Sequence, residues 1–100
     1  MIEISEEQFN IVCQILDNYL PGREVMAFGS RATNTAKLYS DLDIAIMGTD
    51  QVNFLTLALL KDAFSESNLP FRVDILQWCK INPEFKKVIQ SQLQVIHKAS

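Results

Sequence analysis

The sequence has a single histidine, His97, and only two cysteines, Cys13 and Cys79. That set is too small for a structural zinc site, which takes four nitrogen or sulfur ligands. The cysteines lie far apart among apolar neighbours, so buried free thiols are expected, because Cys packs as a small hydrophobe. No apolar run approaches the roughly 20 residues that a bilayer-spanning helix requires. Residues 1–7 are acidic and lack the basic start of a signal peptide, so a cytoplasmic protein with no membrane contact is expected. Positive charge is also scarce. Nine Lys and Arg against twelve Asp and Glu leave a net charge of −3. That balance argues against the basic stripe with which a non-specific nucleic-acid binder displaces counterions, and no direct nucleic-acid partner is expected. Repeats, low-complexity tracts and linkers are missing too. What remains is 100 residues with 48% hydrophobic and 21% charged side chains, a composition that fits one globular domain spanning residues 1–100.

The informative stretch runs from Phe28 to Ile46. It leaves an apolar run through Gly29-Ser30 and crosses ten polar or small residues. It then enters Ser40-Asp41-Leu42-Asp43 and a second apolar run, Ile44-Ala45-Ile46. Side chains on a strand alternate, so Asp41 and Asp43 share one face and Leu42, Ile44 and Ile46 the other. Two carboxylates held that close repel unless something neutralises them. A divalent cation such as magnesium, which takes oxygen ligands, is the usual answer. Gly29-Ser30 alone would read as an ordinary turn. With the acids downstream, its backbone N–H groups, leading into a short helix over residues 31–36, become an anion site. A metal site beside an anion site implies a metal-bound phosphate, as in a nucleoside triphosphate.

The rest of the chain supports this stretch. Ser5-Glu6-Glu7-Gln8 reads as a capping box, and Phe9, Val12, Cys13, Leu16 and Tyr19/Leu20 follow at helical spacing until Pro21-Gly22. Residues 23–28, 40–47 and 71–76 read as strands. Residues 51–65 read as a helix, capped by Thr49 or Asp50 and apolar on more than one side, which suits a helix that offers a face to a partner. Asp74 stands in the third strand, where a buried carboxylate needs a partner. On the residues alone that partner is an arginine, Arg72 or Arg31. Trp78 reads as a core or interface anchor. Asn82-Pro83 starts a last helix, carried on by Phe85, Val88, Ile89 and Ile96, with His97 and Lys98 in its final turn, where the helix dipole favours cations. The fold expected is α+β, a small mixed sheet of about three main strands packed by helices.

Gly29-Ser30-Arg31-Ala32 followed by Ser40-Asp41-Leu42-Asp43 resembles the signature of the polymerase beta-like nucleotidyltransferases. It is most similar to their smallest members, the minimal nucleotidyltransferase (MNT) domains. Many of these have a glycine after the Arg-Ala pair; Asn34 stands near that position here, and Asn tolerates a left-handed backbone. The resemblance implies a palm-like nucleotidyltransferase fold and Asp41, Asp43 and Asp74 as catalytic metal ligands for two magnesium ions. It also implies a nucleoside triphosphate, ATP first among them, held at Gly29, Ser30, Arg31 and Ser40. Lys37 is a weaker phosphate candidate and reads better as a solvated charge. The implied reaction is transfer of a nucleoside monophosphate, AMP above all, to a hydroxyl. The implied partner is a helical HEPN-domain toxin, inactivated by adenylylation or, in the alternative, merely masked by an antitoxin that does not turn over. A haloacid dehalogenase-type phosphatase also uses Asp-x-Asp after a strand, but it has no use for Gly29-Ser30 and wants a much longer chain.

Overall fold

The computed structural model describes residues 2–98; Met1, Ala99 and Ser100, at the ends of the expected domain, lie outside them. Helix α1 spans Glu6–Tyr19 and starts with the capping box read from the sequence. Ser5 Oγ accepts from the Gln8 amide at 3.1 Å, and Gln8 Oε1 accepts from the Ser5 amide at 2.9 Å. Strands β1 (Val25–Phe28) and β2 (Leu42–Ile46) follow, then helix α2 (Phe54–Glu66) and strand β3 (Val73–Gln77). One 3-10 turn at Trp78–Lys80 leads to helix α3 (Pro83–Gln90) and strand β4 (Gln94–His97).

The four strands form a mixed sheet in the order β3-β2-β1-β4. β1 runs antiparallel to β2 and to β4, while β2 and β3 are parallel. Alternation sorts the side chains into two faces. On one face Val25, Ala27, Leu42, Ile44 and Ile46 join Val12 and Leu16 of α1 and Leu60 and Phe64 of α2 in the main core. On the other, Phe28 and Ala45 pack with Ile89 of α3 in a smaller cluster ringed by Met47, Leu76, Trp78, Ile81 and Leu93. The Phe28 and Phe85 rings meet edge to face, with centroids 6.2 Å apart.

Three expectations need correcting. The last helix does not reach His97: it stops at Gln90, and residues 94–97 form β4 along the free edge of β1. Ile89 and Ile96 are seven residues apart, two helical turns, so helical spacing extends by coincidence across the break. An unpaired edge at β1 would leave a row of N–H and C=O groups open, and Val95-Ile96, both β-branched, suit a strand. His97 is therefore no surface residue of a helix end. Its side chain is only 10% exposed, with Nε2 2.7 Å from Asp17 Oδ1 and Nδ1 2.6 Å from the Arg23 carbonyl.

The second correction is the start of α2, three residues later than expected. Its cap is Asn53, whose Oδ1 accepts from the Leu55 and Thr56 amides at 2.8 and 3.4 Å. The preceding segment is held in non-helical form. Arg23 donates to the carbonyls of Met47 and Asp50, and the Val52 amide donates to the buried Gln77 side chain at 2.7 Å. Third, residues 31–36 form no helix. The chain makes one tight turn through Asn34, at φ 60°, and a second at Leu38-Tyr39, and is otherwise irregular up to β2. The cysteines are free, as expected, and half-buried; burial, with Asp17 nearby, pushes the Cys13 thiol up.

Candidate active site

The functional side chains gather on the face of the sheet that carries the smaller cluster. Asp43 lies near the start of β2, paired across to Phe28 of β1 on one side and in register with Asp74 of β3 on the other. Adjacent strands run about 4.8 Å apart, so these two carboxylates are close neighbours. Asp41, just before β2, is exposed, and its successor's amide donates to the Arg72 carbonyl at 2.8 Å. Asp43 is half-buried and its pKa is raised to about 6, first by desolvation, then by the charges of Asp74 and Asp41. Among the described residues the only ion pairs are Arg23–Asp50 and His97–Asp17. Neither Arg72 nor Arg31 neutralises Asp74.

Gly29 joins the two halves of the motif. Its φ is +76°, and a Cβ there would collide with Oδ2 of Asp43 and come within 3.2 Å of its Cγ. A left-handed backbone and a close carboxylate therefore demand glycine for separate reasons. Beyond it, the Gly29 carbonyl accepts from the Ala32 and Thr33 amides at 3.0 and 3.1 Å, and the Ser30 carbonyl accepts from Thr35 at 3.0 Å. Within the described residues the Ser30 and Arg31 amides and the Ser30 hydroxyl meet no protein partner.

Arg31 is buried at 5% exposure and bonded inward. Its guanidinium donates to the carbonyls of Ser40, Glu3 and Leu38 at 2.8, 2.8 and 3.0 Å and to that of Lys37, and stacks 4.1 Å over the Phe71 ring. Ser40 Oγ accepts from the Lys37 amide at 2.8 Å. In this arrangement both residues brace the segment between the turn and β2 rather than face a ligand. Lys37 is exposed, in keeping with a solvated charge. A cavity of about 530 Å³ opens beside Asp41, lined also by Tyr39, Lys61, Phe71 and Arg72.

Two residues of the site were not legible as such. Gln92 Oε1 accepts from the Gly29 amide at 2.9 Å, and Gln94 Nε2 donates to the Ala32 carbonyl at 2.6 Å. A helix over residues 83–98 hides both. Reading Gln94-Val95-Ile96-His97 as a strand would have brought them beside the end of β1.

The carboxylates suit a hard divalent cation by chemistry: all are oxygen donors, and no basic side chain competes for them. They are not a closed cage, for among the described residues no three acidic, His or Cys side chains converge tightly enough to enclose an ion. Asp41 and Asp74 are both exposed, and three uncompensated like charges spread apart.

A mixed sheet with paired strand carboxylates beside a glycine-serine turn is the arrangement of a polymerase beta-type nucleotidyltransferase. Residues 10–100 match the family described as "Polymerase beta, Nucleotidyltransferase", and the chain belongs to that family. It is 43% identical over 97 residues to a protein of Haemophilus influenzae named "Probable protein adenylyltransferase MntA", a match over 97% of this chain and 85% of that protein. Its fold is similar to one in a crystal structure of a toxin-antitoxin with AMP-PNP (TM-score 0.73, 20% identity, 92% of this chain and 74% of that one). It is likewise similar to one in a mutant MntA-HpeT toxin-antitoxin (TM-score 0.72, 18% identity, 92% and 74%). The expected α+β nucleotidyltransferase fold and enzyme class are thus met. Among the described residues no helix is long and apolar enough to cross a membrane.

Proposed function

We propose that this chain transfers AMP from ATP to a hydroxyl on a HEPN-type toxin partner, with magnesium held by Asp41, Asp43 and Asp74, and so acts as an antitoxin. The observation that carries this is the in-register pairing of Asp43 with Asp74 next to Gly29, on a chain 43% identical to a probable protein adenylyltransferase. Bound magnesium would neutralise the triphosphate and polarise its α-phosphorus. The chain's own share is positioning. The free Ser30 and Arg31 amides and the Ser30 hydroxyl receive the β- and γ-phosphate oxygens, which sets the α-phosphate above Asp43. Asp74, exposed at the rim, takes the proton of the acceptor hydroxyl as its oxygen bonds to the α-phosphorus. The bond from that phosphorus to the bridging oxygen breaks, and pyrophosphate leaves. Holding the acceptor in line supplies much of the rate.

A second reading, masking without transfer, is favoured by the surface of α2. Phe54, Leu55 and Leu59 are 85%, 64% and 44% exposed, an apolar patch that suits an interface whether or not chemistry occurs. The test is to co-express the chain with the product of its neighbouring gene, purify the complex and incubate it with magnesium-ATP. Intact mass should show AMP added to the partner, and none with Asp43→Asn. A stable complex without added mass would leave only the masking antitoxin. Failure to form a complex would remove both readings.

A further inference from the structure

The turn at Gly29–Ala32 is held from outside its own motif. Gln92, in the turn after α3, closes the Gly29 amide, and Gln94, on β4, closes the Ala32 carbonyl. These bonds grip the two ends of a four-residue loop and leave the Ser30 and Arg31 amides between them without a protein acceptor among the described residues. Both glutamines are set by packing away from the loop. Gln94 is paired with Ala27 of β1. The Gln92 amide donates to the carbonyl of Ile89, which is buried against Phe28 and Ala45. We infer that Gln92 and Gln94 are positioning residues that hold the triphosphate loop in its binding form and narrow its backbone donors to Ser30 and Arg31; this rests on the nucleotidyltransferase reading above.

The chemistry favours this role over simple support. A phosphate needs N–H groups that converge from a fixed backbone, and a loop that must reorder on binding loses affinity by the cost of ordering. The Gly29 amide points toward the Gln92 oxygen, so a phosphate cannot share it without displacing that side chain. Loss of the Gln92 oxygen would free the amide and let the loop sample other forms, yet it would leave the apolar packing untouched.

The experiment compares the wild-type chain with Gln92→Met and Gln94→Met, which keep side-chain length but lose the amide, and with Val95→Thr on the same strand as control. Three quantities are read: exchange of the Gly29 backbone amide by NMR, calorimetric affinity for magnesium-ATP, and affinity for adenosine, which has no phosphate. Gln92→Met should speed Gly29 exchange selectively. Each glutamine variant should weaken magnesium-ATP about tenfold, the scale of one lost hydrogen bond of ordering, with adenosine affinity unchanged. If Gln92→Met does not fold, Gln92→Asn, one methylene too short to reach Gly29, takes its place. ATP and adenosine weakened alike would show a merely structural role and overturn the inference. So would ATP affinity equal to wild type with Gly29 exchange unprotected. A wild-type chain that binds no magnesium-ATP would remove the underlying reading with it, a result the other outcomes do not resemble.

Discussion

The two faces of the sheet are made by alternate residues of the same strands, yet they do opposite work. The face under α1 and α2 holds Val25, Leu42, Ile44 and Ile46 at 0–1% exposure. The face under α3 holds a small apolar cluster at one end and an unpaired carboxylate pair at the other. Apolar burial is worth roughly 25 cal/mol per Å², so the first face can offset the electrostatic cost carried by the second. Stability and chemistry are divided across one layer of backbone, and adjacent residues fall on either side of the division.

Ile44 and Asp43 should break this comparison most sharply. Ile44→Ala empties part of the main core and should lower unfolding free energy by about 2–5 kcal/mol, read by urea denaturation, while AMP transfer per folded molecule stays near wild type. Asp43→Asn, one residue away, should abolish transfer and raise stability at neutral pH. Loss of stability in Asp43→Asn would mean that the carboxylate is structurally paired after all. Gly29→Val comes next. A left-handed valine costs about 1–3 kcal/mol, and its side chain would strike the Asp43 carboxylate. Stability and magnesium-ATP affinity should fall together, unlike at either neighbouring face residue. The smallest effect is the pH dependence. The Asp43 pKa is raised from 3.8 to about 6, so below pH 4 both folded and unfolded forms are protonated and nothing is lost. Between about pH 4 and 6 the folded form keeps a proton that the unfolded form has released, and stability falls as pH rises. Above that window the full penalty stands, about 1 kcal/mol once screening at a half-exposed group is allowed for. In EDTA this slope should be visible in wild type and flattened in Asp43→Asn.

The division between faces was legible because period two is a local property. Leu42, Ile44 and Ile46 alternate with Asp41, Asp43 and Ala45 within six residues, and Ser5 caps α1 through a bond to a residue three positions on. What distant segments decide could not be read. The delay of α2 to Asn53 depends on Gln77 and Arg23, and β4 exists because β1 has an edge to cover. Arg31 shows the same limit at the site. Beside Gly29-Ser30 an arginine suggests phosphate, but its guanidinium is occupied by four carbonyls and the Phe71 ring, contacts set by chain folding back from residues 3 and 37–40.

The pairing of β1 with β4 also bears on the order of events in folding. β1 meets β2 after a short excursion, but Val25 meets His97 only after α2, β3 and α3 have been laid down. Contacts so distant in sequence form late, because the entropy of closing the intervening chain must be met first. The hairpin-like β1–β2 unit can thus bring Gly29 to Asp43 early, while the loop gains its Gln92 and Gln94 bonds only in the last step. Competence to grip a triphosphate would then lag behind compaction, and a refolding chain should regain its helical circular-dichroism signal before it regains nucleotide.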